Sequence, residues 1–211
     1  EAPVANVANG DHANLRSSIV KLLAVAALPA LLSEQVAADA CAMGSAVGKL
    51  CPAARTPELK LEVFGKNTCS RWLFDHFVGR GIVSYTGAVG TEYTRDSNVN
   101  FWELEHCGKN ECIILDPGEV ESVGVGDFLF IKGSKFSADT SGLVHKSPPK
   151  AFHGDGRIVN RLLLKVDVKS PEEDDAPSGR APVMATRSAS KLVVQGAKSG
   201  TASGRVARVL S

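Results

Sequence analysis

Residues 58–64 read ELKLEVF, and their strict alternation is typical of a β-strand with one buried face. Leu59, Leu61 and Val63 share one face of such a strand, while the charged residues between them share the other. Further along the chain, short apolar runs are separated by turn sequences such as GKN, DPG and GSK. This spacing predicts a mainly β protein with a small antiparallel β-barrel or sandwich over residues 58–169.

Six further runs are interpreted as strands of this body: GIVSYTGAV, VNFWELEHC, ECIILD, EVESVGV, DFLFIKG and RIVNRLLLKVDV. The intervening sequence TCSRWLFDHFVGRG predicts a short helix, with Thr68 as its N-cap residue. Because these runs carry their own turn signals and alternating faces, we expect residues 56–170 to fold without the ends of the chain.

An Ala- and Leu-rich segment over residues 14–50 precedes the strands and predicts a helical region. Its most apolar part runs from Ile19 to Leu32, 14 positions interrupted only by Lys21. This run is shorter than the ~20 apolar residues that span a membrane, so we expect a helix buried against protein. The basic residues before it and the small residues AADACA after it are also the layout of a signal or thylakoid-transfer segment. Both interpretations stay open.

Low-complexity segments flank the two folded regions. Residues 1–13 are predicted to be an extended arm, and residues 51–57 a linker. Residues 170–211, rich in Pro, Ser, Ala and Gly and basic in their last part, predict a second extended arm. Ordering such segments costs about 1–2 kcal/mol per residue, so we expect both arms to bind the surfaces of partner proteins.

Composition limits the classes of partner. A hydrophobic content of 44% and a charged content of 22% are those of a folded domain. The formal net charge of +1 gives no overall field that attracts nucleic acid or anionic lipid. The basic tail also lacks aromatic residues on which bases stack. Binding to nucleic acid is therefore not expected.

Cysteine spacing offers one candidate disulfide. The five cysteines are Cys41, Cys51, Cys69, Cys107 and Cys112. An odd number leaves at least one of them unpaired within the chain. Cys107 and Cys112 bracket the polar turn GKNE, which would bring two facing strand positions within bonding range; free buried thiols are the alternative. Because no CxxC pair occurs, a structural zinc site is not expected.

Residues with catalytic chemistry concentrate between Gly126 and Arg161, where GDFLFI is followed by SGLVHKSPP and GRIVNRLLL. This run resembles the closing half of the double-stranded β-helix proteins, the cupins and the 2-oxoglutarate oxygenases. The resemblance implies that His145 is an iron ligand and that Arg157 or Arg161 binds a carboxylate of the cosubstrate.

The other ligands of such a centre do not follow from the sequence. No His-x-Asp/Glu triplet precedes His145, and FWELEHC offers Glu103, Glu105 and His106 instead. On a strand, Glu103 and Glu105 share one face and His106 lies on the other, so the three cannot bind one ion without a bulge. A metal set of His145, Glu103 and His106 is kept only as the alternative, and no resident cofactor is expected.

These patterns favour a non-catalytic accessory subunit of a multi-protein assembly, in which the N-terminal helix and both arms contact other subunits. The targeting-like segment makes an organellar membrane complex the first expectation, photosynthetic in the plastid thylakoid or respiratory in the mitochondrion. A cupin- or oxygenase-like metalloenzyme centred on His145 is one alternative, and a viral or particle shell protein is another.

Overall fold

The helices and strands follow one another in two blocks along the chain. A computed structural model describes residues 4–6, 12–52, 57–170 and 207–209, with side chains over 15–52 and 57–170. The helices are α1 (His12–Ala26), α2 (Ala30–Leu50), α3 (Phe101–His106) and α4 (Asn110–Ile113). The strands are β1 (Val4–Asn6), β2 (Glu58–Phe64), β3 (Gly79–Ser84), β4 (Glu92–Thr94), β5 (Glu121–Ser122), β6 (Phe128–Lys132), β7 (Val144–Lys146), β8 (Arg161–Val168) and β9 (Ala207–Val209).

The strands form two separate sheets. The larger sheet has six strands in the order β1-β2-β8-β3-β6-β9, and every pair is antiparallel except β6 and β9. The smaller sheet has the order β5-β4-β7 and is antiparallel. The expected mainly antiparallel body behind N-terminal helices is confirmed. The barrel is not supported, because the larger sheet ends in β1 and β9 and does not close on itself.

Helices α1 and α2 cover one face of the larger sheet. Leu59 and Leu61 of β2 are buried in one apolar cluster with Ile19 of α1 and Val47 of α2. The predicted buried face of ELKLEVF is therefore confirmed for its first two residues, while Val63 at the strand end is 39% exposed. Full burial of each Leu or Ile side chain contributes about 1.5–3 kcal/mol, so this layer is a major part of the core.

The apolar run from Ile19 to Leu32 is two helices and not one. Helix α1 ends at Ala26, Ala27 has a φ of 48°, and Pro29 precedes α2. Proline fits there because it supplies no N–H for a preceding helical turn. In the described part of the chain, no helix is both long enough and apolar enough to cross a bilayer.

The opposite face of the larger sheet contacts the smaller sheet. An apolar cluster joins Ile82, Leu129, Ile131 and Leu163 of the larger sheet to Tyr93 of β4. A third cluster, which includes Trp72, Leu104 and Ile113, supports α3 and α4. Charged residues of β2, β3 and β8 alternate with apolar ones on these strands and form the site described below.

Several predicted elements are wrong. Residues 68–78 contain no helix: the Thr68 hydroxyl donates to the Gly65 carbonyl, and Leu73 forms a β-bridge with His145. VNFWELEHC and ECIILD were expected to be strands, but they contain α3 and α4. The local reason is a cap, because the Asn100 side chain accepts a hydrogen bond from the Glu103 N–H at 3.2 Å.

The two arms lie mostly outside the described residues. Within residues 1–13, Val4–Asn6 pairs with β2 and α1 already begins at His12. In the C-terminal segment 170–211, only Ser170 and Ala207–Val209 are described, and the latter form a strand along β6. The predicted linker 51–57 is described at its two ends only.

Candidate functional site

A chain of ion pairs runs across three strands of the larger sheet; Asp167 is buried and the other members are half-buried. Lys169 lies 2.5 Å from Glu58, which lies 2.8 Å from Lys60, which in turn lies 2.8 Å from Asp167. Arg80 continues the chain, since its Nε donates to Asp167 Oδ1 at 2.5 Å and its Nη1 lies 3.0 Å from Asp75 Oδ2. We call these six residues the charge network: Glu58, Lys60, Asp75, Arg80, Asp167 and Lys169.

The strand register explains the alternation of charge. Residues of like charge stand directly opposite each other, Glu58 against Asp167 and Lys60 against Lys165. Like charges in such positions repel, whereas diagonal neighbours remain within reach of long side chains. Lys60 therefore pairs with Asp167, and Lys165 pairs in the same diagonal sense with Glu62.

The members of the charge network keep one another ionised, because each charge lies beside an opposite charge. Asp167 is 1% exposed. Burial opposes its charge, but Arg80 and Lys60 outweigh burial and hold the pKa of Asp167 well below its usual range. Burial also acts against the Arg80 cation, and here Asp167 and Asp75 raise the pKa of Arg80. The network is thus a set of paired ions, as buried charges require.

His145 lies on β7 beside one end of this network. Its Nδ1–H donates to the Leu143 carbonyl at 2.9 Å, and its Nε2 lies 3.8 Å from Asp75 Oδ2. Burial lowers the pKa of His145, and Arg80 acts in the same direction. The Asp75 carboxylate and the Leu143 carbonyl act in the opposite direction, but burial outweighs them and favours the neutral imidazole. Asp75 Oδ2 is within ion-pair distance of Arg80 but accepts no hydrogen bond.

The sequence-predicted ligands do not gather around His145. His106 is exposed on α3, where its ring stacks on Trp102 with centroids 4.6 Å apart and its Nδ1–H donates to the Trp102 carbonyl. Glu103 belongs to a different group, described below. Asp75, Arg80 and Asp167 were not predicted as partners, although the charges of Lys165 and Asp167 at alternate positions of RLLLKVDV were a visible signal.

The two arginines of the predicted carboxylate clamp have different surroundings. Arg157 is exposed and pairs with Asp155 in a turn. Arg161 is 7% exposed, and its Nη2 donates to Ser147 Oγ at 3.2 Å while its Nη1 has no hydrogen-bond partner. Burial alone lowers the pKa of Arg161. It lines a small surface cavity together with Gly65, Thr68, Gly87, Pro148, Pro149 and Ile158.

A second group of polar side chains lies on α3 and α4. The ligand atoms of Glu103, Cys107 and Cys112 are within 4.8 Å of one another, and no other group of three or more such side chains meets this criterion in the described part of the chain. Both cysteines are thiols, and a hydrogen bond with Cys107 raises the pKa of Cys112. The disulfide between them stays a prediction.

Comparison with known proteins places the chain in a family. A comparison with curated proteins finds no match. A family model described as "Protein of unknown function (DUF1826)" matches residues 6–167. This range contains α1 to α4 and the strands from β2 to β7, together with most of β8. It includes Glu103, Cys107 and Cys112 and every member of the charge network except Lys169. The match covers more than half of the chain, and the protein therefore belongs to the DUF1826 family.

Proposed function

We propose that this protein is a non-catalytic accessory subunit that docks onto a partner protein through the turn between α1 and α2. We call residues 24–31 the helical tip. Every residue from Leu22 to Leu32 is Leu, Ala, Val or Pro. Val25 is 74% exposed and Leu31 is 82% exposed, so the two ends of the tip present large aliphatic side chains to solvent. A contiguous exposed apolar surface of this kind marks an interaction site.

The composition of the tip favours a protein partner over a lipid surface. Helices that lie on membranes carry Lys and Arg on the polar face and Trp, Phe or Leu on the other. The tip has neither a charged nor an aromatic residue, and the nearest charges are Lys21 and Glu34. A small, uncharged aliphatic tip is suited to an apolar pocket on another subunit, where it is removed from water without desolvating a charge.

The charge network supports a structural role for the body. Its two sheets pack in a sandwich-like arrangement around an apolar cluster that includes Ile82, Leu129 and Tyr93. Asp75 and His145 face each other there and are the only two ligands that an iron centre on His145 would find, since the described residues offer no third. The Arg80 guanidinium lies 3.0 Å from the same carboxylate. A dication beside Arg80 would be repelled, so this region does not fit the metal centre of the cupins and oxygenases.

The organellar setting stays a prediction of the sequence. Its A-x-A-like residues lie within α2, where Ala40 is fully buried against the sheet. A processing enzyme would have to unfold this helix in order to reach them. We therefore assign the accessory role to the helical tip. Photosynthetic and respiratory membrane complexes are the first assemblies in which to look for the partner.

Charged substitutions in the tip should release the protein from its assembly. We expect the double variant Val25→Asp, Leu31→Asp, expressed with a tag in the native host, to move from a large complex to the monomer position on a native gel. An aspartate in an apolar pocket leaves a buried unpaired charge, which costs several kcal/mol, equivalent to at least ~100-fold in affinity. The matched control is Val20→Asp, because Val20 is also exposed (66%) on α1 but lies outside the tip.

Three results would count against the proposal. If the double variant stays in the complex, the tip is not the docking surface. A wild-type chain that migrates alone would remove the accessory role itself. Self-assembly of the purified chain into large particles, measured by light scattering, would favour the shell-protein alternative.

The cavity at Arg161 favours a second candidate function, the binding of a small carboxylate. A buried guanidinium normally has a counter-charge, and Arg161 Nη1 has no hydrogen-bond partner. The cavity wall is mostly apolar, with Pro148, Pro149 and Ile158. An anion with a short apolar group would therefore pair with the guanidinium and cover this wall.

Propionate tests this candidate, with propionamide as the uncharged control. We expect propionate to raise the thermal midpoint of the wild-type protein and propionamide to leave it unchanged; tenfold saturation corresponds to about 1.4 kcal/mol. Arg161→Gln should abolish the effect and, because it removes an unpaired buried charge, should itself stabilise the free protein. A propionate effect that survives in this variant would locate the binding elsewhere.

A further inference from the structure

We infer that Glu103, Cys107 and Cys112 form a binding site for a divalent cation of the zinc type. Their ligand atoms lie within 4.8 Å of one another. The centre of three atoms at that spacing is at most about 2.8 Å from each, close to the ~2.3 Å of a Zn–S bond and the ~2.0–2.2 Å of a Zn–O bond. Small rotations of exposed side chains would close this difference.

The backbone holds the three side chains in this arrangement. Cys107 is the C-cap residue of α3 and keeps helical backbone angles. It lies four residues after Glu103, so the two side chains share a face. The chain then reverses at Gly108, whose φ of 69° favours glycine. The Glu103 carbonyl accepts hydrogen bonds from the N–H groups of both Cys107 and Gly108, at 3.0 and 3.1 Å. The reversal returns the chain through α4, which carries Cys112.

The unit that carries the site is fixed to the rest of the protein. Asn110 at the start of α4 accepts a hydrogen bond from the Trp72 N–H and donates one to the Ser70 carbonyl. Leu104 and Ile113, one on each helix, are buried in the apolar cluster beneath. A site on such a supported turn needs little reorganisation when it binds an ion.

The donor set and its surroundings select the cation. Two thiolates with one carboxylate suit zinc, whereas Mg²⁺ and Ca²⁺ prefer oxygen ligands alone. Two thiolates and a carboxylate exceed the charge of one dication, and Lys109 in the intervening turn carries a compensating positive charge. Both cysteines are exposed, so an ion can enter from solvent and a water can complete a four-coordinate shell.

Cobalt provides a direct test on the reduced, metal-free full-length protein. We expect one Co²⁺ per chain, with the absorption band of thiolate-to-cobalt charge transfer, and displacement of Co²⁺ by Zn²⁺. Cys107→Ser and Cys112→Ser should each weaken binding at least ~100-fold, and Glu103→Gln about tenfold with the band retained. The matched controls are Cys69→Ser, Glu105→Gln and His106→Ala, which change an exposed cysteine, glutamate and histidine outside the group and should bind within about twofold of wild type.

Three results would contradict the proposed zinc site. A charge-transfer band that persists in the double variant Cys107→Ser, Cys112→Ser would place the metal on other thiols. Absence of any band in the reduced wild-type protein would overturn the site. So would isolation of the chain under non-oxidising conditions with a complete Cys107–Cys112 disulfide, detected by mass spectrometry, because a disulfide has no thiolate with which to bind zinc.

Discussion

Replacing Asp167 with asparagine is expected to lower the free energy of unfolding by about 3–5 kcal/mol, the range for removing one partner of a buried ion pair. Asp167 is 1% exposed and accepts hydrogen bonds from both Arg80 and Lys60. The substitution preserves the shape of the side chain but removes the negative charge between two cations. Urea denaturation monitored by circular dichroism would measure the change.

Asp155→Asn is the matched control. Asp155 also pairs with an arginine, Arg157, but both side chains are exposed. We expect the control to leave the free energy of unfolding almost unchanged, because solvent screens an exposed ion pair. Equal small effects of the two substitutions would show that the charge network is solvated and does not hold β2, β3 and β8 together.

Lowering the pH should weaken the same interaction of Asp167 with Arg80 and Lys60. The folded-state pKa of Asp167 lies below its unfolded value. Its contribution to stability is therefore complete above the unfolded pKa of about 3.9 and is lost as the pH falls toward the folded value. The wild-type protein should lose stability over that acidic range more steeply than Asp167→Asn, so the two curves should converge as the pH decreases.

Removal of residues 1–56 is expected to abolish the cooperative unfolding transition. The sequence alone suggested that residues 56–170 would fold by themselves, but α1 and α2 cover the sheet face that carries Leu59, Leu61, Phe130 and Leu164. Uncovering this face forfeits about 1.5–3 kcal/mol for each large side chain, and the sum over four residues, about 6–12 kcal/mol, is comparable to the 5–15 kcal/mol that stabilise a typical domain.

Size-exclusion chromatography and near-ultraviolet circular dichroism of residues 57–170 would measure this effect. We expect aggregated material without a fixed aromatic signal. The control is the same segment mixed with a separately produced segment 12–52, which should restore part of the soluble fraction by covering the sheet. A monomeric, cooperatively unfolding 57–170 would show instead that the helical layer is a separate module.

Prediction from sequence succeeded where local pattern and tertiary burial agree. The alternation in ELKLEVF placed Leu59 and Leu61 correctly, because a period of two suits few structures other than a half-buried strand. Prediction failed for α3 and α4, because the periodicity of such short apolar runs does not distinguish a helix from a strand. There the outcome depends on one side chain, Asn100, which caps α3. Sheet closure was not predictable either, since it depends on pairings between distant strands.

The candidate sites were likewise predicted where the signal is local and missed where it depends on contacts between distant residues. His145 was singled out from its local sequence and is buried beside the charge network. Its neighbours Asp75 and Arg80 are five residues apart in the chain. Asp167 comes from a distant segment, and the pairing of β3 with β8 places it opposite Arg80. The sulfurs of Cys107 and Cys112 lie within 4.8 Å of each other. The hairpin strands from which their disulfide was predicted do not form, and the disulfide stays a prediction. Glu103 was assigned to the wrong group, because a strand was expected where α3 forms.

The position of strand β8 late in the chain determines when the larger sheet can be completed during synthesis. All eight of its residues are buried, and it lies between β2 and β3 in the larger sheet. Glu58 and Asp167 cannot pair until roughly 100 further residues have left the ribosome after β2. Synthesis of those residues takes about 5–20 s at ordinary elongation rates. Throughout that interval β2 lacks its main neighbour, and the apolar faces of α1 and α2 have no complete sheet to cover. The first quarter of the nascent chain is thus a natural client for the chaperones that bind exposed apolar segments.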